Sequence, residues 1–319
     1  MSLRTLIEAW NRFFFEPQPP TPIALFRILY GVVVTVNLLL MFPDWLAWYG
    51  VRAWMSLSTM YKMEPGMRLN LFTVMPQSDV WVSALFWVSL ASAVLLTFGL
   101  LTRISSIAVF LCLTSVHERN LFAIHSGDTF LRVAGFFLVF APAGAAFSVD
   151  RLIRLRLGKE AHDVRPRSPW AQRMIQFELS LVYFFAFWWK SLGAPWVNGT
   201  ALYYVEHLDE FRRFPVPAWF QAPLLVKLGS WLTLVLEFSL GVLIWFRELR
   251  YPLLLCGVLF HLTLEYWLNV PMFQWDVLTA YVLFIHPDDL ERALAFLGRL
   301  RRHSFEHARN QFLRVGKTL

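Results

Sequence analysis

Residues 22–42 read PIALFRILYGVVVTVNLLLMF, and residues 79–101 read DVWVSALFWVSLASAVLLTFGLL. Each run is about as long as a helix needs to cross a hydrocarbon core of roughly 30 Å, which takes about 20 mostly apolar residues. Neither alternates as a barrel strand does. Six further runs resemble them, at about 104–123, 128–147, 172–194, 229–246, 251–269 and 272–286. The chain is therefore expected to be an all-α integral membrane protein, a helical bundle of about eight transmembrane helices. The last run is short, and treating 272–286 as re-entrant leaves seven spans. Only Asn269-Val270-Pro271 separates it from its neighbour, a tight turn signal.

Composition supports the same class. Of 319 residues 57% are hydrophobic and only 16% charged, whereas a soluble domain is closer to a quarter charged. Disorder, collagen and a disulfide scaffold are excluded with it. The two cysteines, Cys112 and Cys256, lie inside apolar runs and read as buried thiols.

Orientation follows from Arg and Lys. Arg151, Arg154, Arg156, Lys159, Arg165, Arg167 and Arg173 lie between the fourth and fifth spans, and the tail after 287 is equally basic. With Arg4, Arg12, Arg103, Arg247 and Arg250, nineteen of the 29 basic residues fall on one side. The opposite loops, 43–78 and 195–228, hold only Arg52, Lys62, Arg68, Arg212, Arg213 and Lys227. A multi-pass inner-membrane protein with both termini cytoplasmic is expected. No cleavable signal peptide is read at the N-terminus. Residues 1–15 read as an interfacial amphipathic helix, and 288–314 as a similar helix on the cytoplasmic surface, both attracted to anionic lipid. The net charge of +7 is thus assigned to membrane lipid and not to nucleic acid.

Ionisable groups inside spans are costly, by about 2.5–3.5 kcal/mol each on insertion scales. Those here are Arg27, Glu118, Arg119, His125, Asp128, Arg132, Glu178, Lys190, Glu237, His261, Glu265 and Asp276. Most converge on one layer beneath the outer interface. The plainest account is mutual pairing: Arg119 with Glu118 or Asp128, Arg132 with Asp128, Lys190 with Glu237 or Glu265. Arg27 and Glu178, on the inner half, are expected to partner each other or lipid headgroups. No metal-ligand spacing such as His-Glu-x-x-His occurs, so no metal is predicted. Glycine-rich phosphate loops and a Gly-x-Ser-x-Gly elbow are also missing. Lys190 follows Phe184, Phe185, Phe187, Trp188 and Trp189, and Trp196 comes six residues later. A lysine stripped of water by such rings stands as a neutral amine, a strong general base. A lysine snorkelling to the interface is the alternative.

Several separated motifs in fixed order then carry a resemblance. They are His117-Glu-Arg119-Asn120-Leu-Phe-Ala-Ile-His125-Ser-Gly-Asp128, Phe140-Ala-Pro-Ala-Gly144 and Ser148-Val-Asp150. Further on stand Tyr183 to Lys190, Trp196-Val-Asn-Gly199-Thr200-Ala-Leu-Tyr203-Tyr204, and His261 with Asn269, Pro271, Met272 and Phe273. Together they resemble the HTTM family, the transmembrane domain shared by bacterial proteins and the vitamin K-dependent gamma-carboxylase, over roughly residues 15–290. The resemblance implies an HTTM-like transmembrane domain over 1–290, with 291–319 a basic cytoplasmic amphipathic tail. The chain looks like the short bacterial members, without the soluble substrate domain of the carboxylase.

What that resemblance implies is a quinol-coupled carboxylase or oxidoreductase whose site lies near the outer leaflet. Its cofactor would be a reduced naphthoquinone of the vitamin K type. Lys190 is then the general base, although the carboxylase carries its lysine one residue nearer the tryptophan, where this chain has Ser191. His261 helps to shape the quinol pocket. Asp128 and His125 compete for the place of another family histidine, which a gapless register puts at Gly127. Arg119, Asn120, Trp189, Trp196 and Glu237 are expected to line the cofactor site. Two readings of other classes stand beside it. One is a non-catalytic membrane factor that binds or matures a secreted peptide or lipid through the aromatic loops 43–78 and 195–228. The other is a transporter or channel, for which no inverted repeat speaks.

Overall fold

In a computed structural model, residues 2–63, 70–296 and 299 are described, and the secondary structure among them is helical. Helix α1 (Leu3–Phe15) lies outside the bundle, and α2 (Thr21–Met41) enters it. Three short helices follow at one end: α3 (Trp45–Tyr49), α4 (Leu57–Met63) and α5 (Leu71–Val74). Long helices then run as α6 (Asp79–Phe98), α7 (Thr102–Arg119) and α8 (Ser126–Phe140). A short α9 (Val149–Arg156) precedes α10 (Trp170–Ser191). Next come α11 (Ala194–Val197), α12 (Ala201–Glu206), α13 (Pro223–Val242), α14 (Arg247–Trp267) and α15 (Phe273–Ala280), which Tyr281–Phe284 extends as a 3-10 turn. Among the described residues there is no strand, only isolated bridges at Gln18–Arg167 and Arg212–Leu268.

Seven of the eight expected runs hold a long helix, although α8 stops at Phe140, seven residues early, and α13 begins at Pro223, six residues early; the eighth run holds only the short α15 with its 3-10 turn. Three stretches are long and apolar enough to cross a membrane by length and composition: Thr21–Tyr49, Asp79–Phe98 and Pro223–Trp245. The others fall short for definite reasons. Helix α10 carries Arg173, Glu178 and Lys190, and α15 with its extension rises only about 20 Å. Helix α1 has the amphipathic character expected of it: Phe14 is buried against Phe177, whereas Leu3, Leu6, Ile7 and Trp10 are exposed. The expected tail helix over 288–314 is described to residue 296 and at 299; the rest of it lies outside the described residues.

Neighbours in the bundle are α2 with α6 and α15, α6 with α7, α7 with α8, and α8 with α10 and α15. The ring continues through α10 with α13, α13 with α14, and α14 with α15. Cys112 is buried as expected, but Cys256 is exposed on α14 because that stripe of the helix faces outward from the bundle.

One end of the bundle is tied by Arg27. Its side chain is fully buried, and its guanidinium donates to the carbonyls of Ala143 at 3.3 Å and Phe147 at 2.6 Å. The expected pairing with Glu178 is therefore wrong. Backbone carbonyls turned inward by the 141–148 loop satisfy the guanidinium instead, with Phe147 held at φ 49°. Gly99 closes α6 at φ +65°, and any side chain there would run into Arg27 and Ser148. Asp150 caps α7 by accepting from the Leu101 and Thr102 amides, each at 2.8 Å, and from the Thr102 hydroxyl at 2.7 Å. Burial opposes ionisation of Asp150, yet these hydrogen bonds outweigh it and hold the carboxyl below its ordinary value.

Replacing this guanidinium leaves two buried carbonyls unpaired, and charged hydrogen bonds of this kind are worth about 1.5–3 kcal/mol each. Arg27→Met is expected to lower the thermal midpoint of the purified protein in detergent clearly. Arg4→Met, on the exposed face of α1, is expected to leave it unchanged.

Candidate functional site

The far end of α10 delivers Lys190 in its last turn, where the negative end of the helix dipole favours a cation. The chain then stops. Pro195 cannot continue α10, and the short α11 brings Trp196 back so that Lys190 Nζ lies 5.2 Å from its ring. Gly199, at φ +74°, lets the loop pass against Lys227, which a side chain there would strike. Helix α13 then returns beside α10, closest at Gly241, whose missing Cβ leaves room for the Phe184 backbone. This close approach sets Glu237 opposite Lys190, and the ammonium donates to Glu237 Oε1. Glu237 is buried, and its second oxygen has no hydrogen-bond partner. Of the two partners expected for Lys190, the structure selects Glu237. Glu265 pairs instead with Arg213 at 2.8 Å. Aromatic rings are thus not the whole surroundings of Lys190, because the end of α10 leaves one side open to a carboxylate.

His261, on α14, is buried and sits in a chain of polar groups. Its Nδ1 is 2.5 Å from Gln274 Oε1, and its Nε2 is 2.6 Å from the Tyr183 hydroxyl, itself 2.5 Å from the Tyr281 hydroxyl. With Gln274 Oε1 as acceptor, Nδ1 carries the proton and Nε2 accepts from Tyr183, whose oxygen in turn accepts from Tyr281. Gly257 makes room for Tyr281, since a Cβ there would meet the phenol.

Between α8, α10, α13 and α14 lies a chamber of about 1180 Å³. It follows α10 from Met174 to Lys190, sixteen residues or about 24 Å of helix rise. Its walls are mainly apolar, including Phe137, Leu181, Leu236 and Leu264. Lys190, Glu237, His261, Glu206 and Arg212 gather towards one end, with Trp189 and Trp196 beside them. Glu178 is the one acid further in; its Oε2 has no hydrogen-bond partner among the described residues. A pocket with a long greasy body and a charged mouth suits an amphipathic molecule lying head outward.

The remaining expected site residues lie elsewhere. Asp128 and His125 sit at the start of α8. His125 caps that helix, its Nδ1 accepting from Gly127 at 3.0 Å, while Asp128 Oδ2 accepts from the His125 amide at 2.9 Å. Neither lines the chamber, although Ser126 and Thr129 beside them do. Arg119 donates to the Met55 carbonyl at 3.0 Å and borders a separate pocket of about 20 Å³. Asn120 Oδ1 accepts from the Phe122 amide at 3.2 Å and closes the turn after α7. Arg119 therefore belongs to the packing of the 43–78 segment and Asn120 to the turn after α7. Arg132 pairs with Glu118 at 2.6 Å and not with Asp128, because α7 and α8 run side by side with those two facing. Sequence reasoning missed Tyr183, Gln274 and Tyr281. A tyrosine or glutamine in an apolar run carries no sign of its partner 78 or 98 residues away.

Removing one member of a buried ion pair strands the other. Lys190→Met is expected to destabilise the protein by about 3 kcal/mol, and Lys190→Met with Glu237→Leu to recover most of the loss. Reversible unfolding in mixed micelles would measure both; full additivity would show that the two side chains do not interact.

Residues 15–288 match the HTTM domain. No solved structure matches the chain. The match covers most of the chain, on all-helical architecture with helices long and apolar enough to span a bilayer, and the protein is a member of the HTTM family, a membrane domain associated with gamma-carboxylase.

Proposed function

We propose that this protein is a quinol-coupled, carboxylase-like or oxidoreductase-type enzyme with its reactive end near the outer leaflet. One observation carries the reading: the Lys190–Glu237 pair stands at the charged mouth of a deep apolar chamber. A reduced naphthoquinone bound there would supply the reducing power and strong base for such chemistry. The chain's own residues receive it in a definite way. Trp189 and Trp196 offer flat faces at the mouth, and Phe137, Leu181 and Leu236 accommodate an apolar tail deeper in. Mainly apolar side chains line this path, and a molecule that displaced water from it would strengthen the electrostatic contacts at the mouth.

This chemistry requires one proton to pass from Lys190 Nζ to Glu237 Oε1, a transfer that removes two charges from apolar surroundings. The neutral amine then accepts a proton from an acidic hydroxyl held at the mouth, and Glu237 carries the first proton. His261, held by Tyr183 and Gln274, offers a fixed polar wall opposite the apolar faces.

The proposed placement has eight spans with both termini cytoplasmic. The basic segments of α9 and the start of α10 lie at the Arg27 end of the bundle, opposite Lys190, which supports it. The second reading, a non-catalytic factor binding a secreted peptide or lipid, draws on Trp54, Tyr203, Tyr204 and Trp219, all exposed around the chamber end.

Membranes containing the protein are expected to consume an added naphthoquinol, with loss of activity in Lys190→Ala. Lys190→Arg should lose it as well while remaining folded, because an arginine keeps the ion pair but holds its proton. Equal turnover by both variants and wild type would remove Lys190 from the chemistry. Tolerance of Ala at Lys190 and His261, with loss on changing the aromatic loops, would favour the binding factor. In a cysteine-free background, Ser58→Cys should react with an impermeant thiol reagent on intact cells and Arg154→Cys only after permeabilisation. The reverse pattern would invert the topology.

A further inference from the structure

The start of α8 and the middle of α15 bring together three side chains that the chamber does not use. One ring nitrogen of His125 and one carboxylate oxygen each of Asp128 and Asp276 all lie within 4.8 Å of one another. Asp276 is completely buried, and neither of its oxygens has a hydrogen-bond partner. It packs against Gly127, where any side chain would collide with its Oδ2. Asp128 is buried too, and among the described residues neither acid has a lysine or arginine partner. His117 stands behind them, its Nε2 3.8 Å from Asp128 Oδ1, itself buried and with its Nδ1 unpartnered.

Two acids packed this closely in low dielectric repel each other, and among the described residues only the imidazoles of His117 and His125 stand within ion-pair distance, both at Asp128. Two carboxylates with one or two imidazoles are, however, an ordinary ligand set for a first-row divalent ion. The orientation of His125 agrees. Its Nε2 lies 2.9 Å from the Pro271 carbonyl and donates to it, the outer contact that metal-bound histidines commonly make. That leaves Nδ1 with its lone pair towards Gly127 and the acids, able to exchange the Gly127 amide for an ion. Bonds of about 2.0–2.2 Å would set the three ligand atoms about 3.4 Å apart, so those now up to 4.8 Å apart close by about an ångström on binding.

The geometry points to a divalent transition-metal site, of the zinc or manganese type, formed by His125, Asp128 and Asp276 with His117 beside it. Its place gives it a structural role. Ser126 and Thr129 on α8, and Phe273 and Val277 on α15, line the chamber immediately beside these ligands. Gln274, two residues before Asp276, holds His261. An ion joining α8 to α15 therefore fixes the chamber wall and the orientation of His261. The site stands on residues outside the chamber and does not depend on the enzymatic reading.

The test is metal content and not activity. The full chain, purified in detergent without chelator, is expected to hold about one zinc or manganese ion per chain by elemental mass spectrometry. EDTA should remove the ion and lower the thermal midpoint, and added Zn²⁺ or Mn²⁺ should restore both. Asp276→Asn and His125→Gln are expected to weaken Zn²⁺ or Mn²⁺ binding by at least about 10- to 100-fold, and EDTA should no longer shift their midpoints. Wild-type protein that holds no metal and takes up neither added ion would overturn the site. So would metal binding of equal affinity in Asp276→Asn, which needs only a folded variant to measure.

Discussion

Charge inside a low-dielectric bundle is expensive unless something compensates it, and that constraint decides where every functional candidate in this chain sits. Compensation takes a different form at each place. Arg27 is met by two carbonyls of a loop bent back on itself, and that contact ties α2, the end of α6 and the 141–150 segment into one knot. Lys190 is met by Glu237, which ties α10 to α13. Arg132 is met by Glu118, and Arg213 by Glu265. Except for Arg132–Glu118, which joins the consecutive helices α7 and α8, these contacts join elements distant along the chain, so the polar groups are also the fasteners of the fold. Helix contacts in a membrane gain little from burying apolar surface, since the surroundings are equally apolar.

The acids left without partners separate from the rest on the same grounds. Glu178 faces the chamber, and Asp276 faces the cluster at the start of α8. Glu237 spends one oxygen on Lys190 and leaves the other unpaired. Uncompensated groups of this kind are what a purely structural account of the ions does not explain. They mark the two regions where function is assigned: a head-outward chamber for an amphipathic molecule, and a compact ligand set behind its wall. The two lie back to back on α8 and α15, so a change at one moves the other.

Legibility divided along a physical line. The all-helical class, seven long helices, the amphipathic α1 and the turn at Asn269-Val270-Pro271 were readable, because length, hydropathy and periodicity are local properties of the chain. That Lys190 needs a compensating group was readable from the apolar run that carries it, and Glu237 was one of its two expected partners. The Arg27–Glu178 and Arg132–Asp128 pairings were not, since a charge in a span announces a need for compensation without naming its source. Loop carbonyls leave no mark in a sequence at all. Arg119 and Asn120 lay in the motif that carried the family resemblance, and the structure places them in packing and turn closure.

By itself, then, the sequence determined that this is an apolar helical protein with its ions concentrated towards one end, and it placed the chain in the HTTM family. Which ion meets which was decided only in three dimensions. Helix crossings set at Gly241 and Gly257 bring α10 against α13 and α14 against Tyr281, and those crossings depend on side-chain packing across long separations. The same packing brings Asp276 to His125, 151 positions earlier in the chain. No local spacing rule detects a ligand set assembled that way, because its geometry comes from two helices meeting and not from the turn of one.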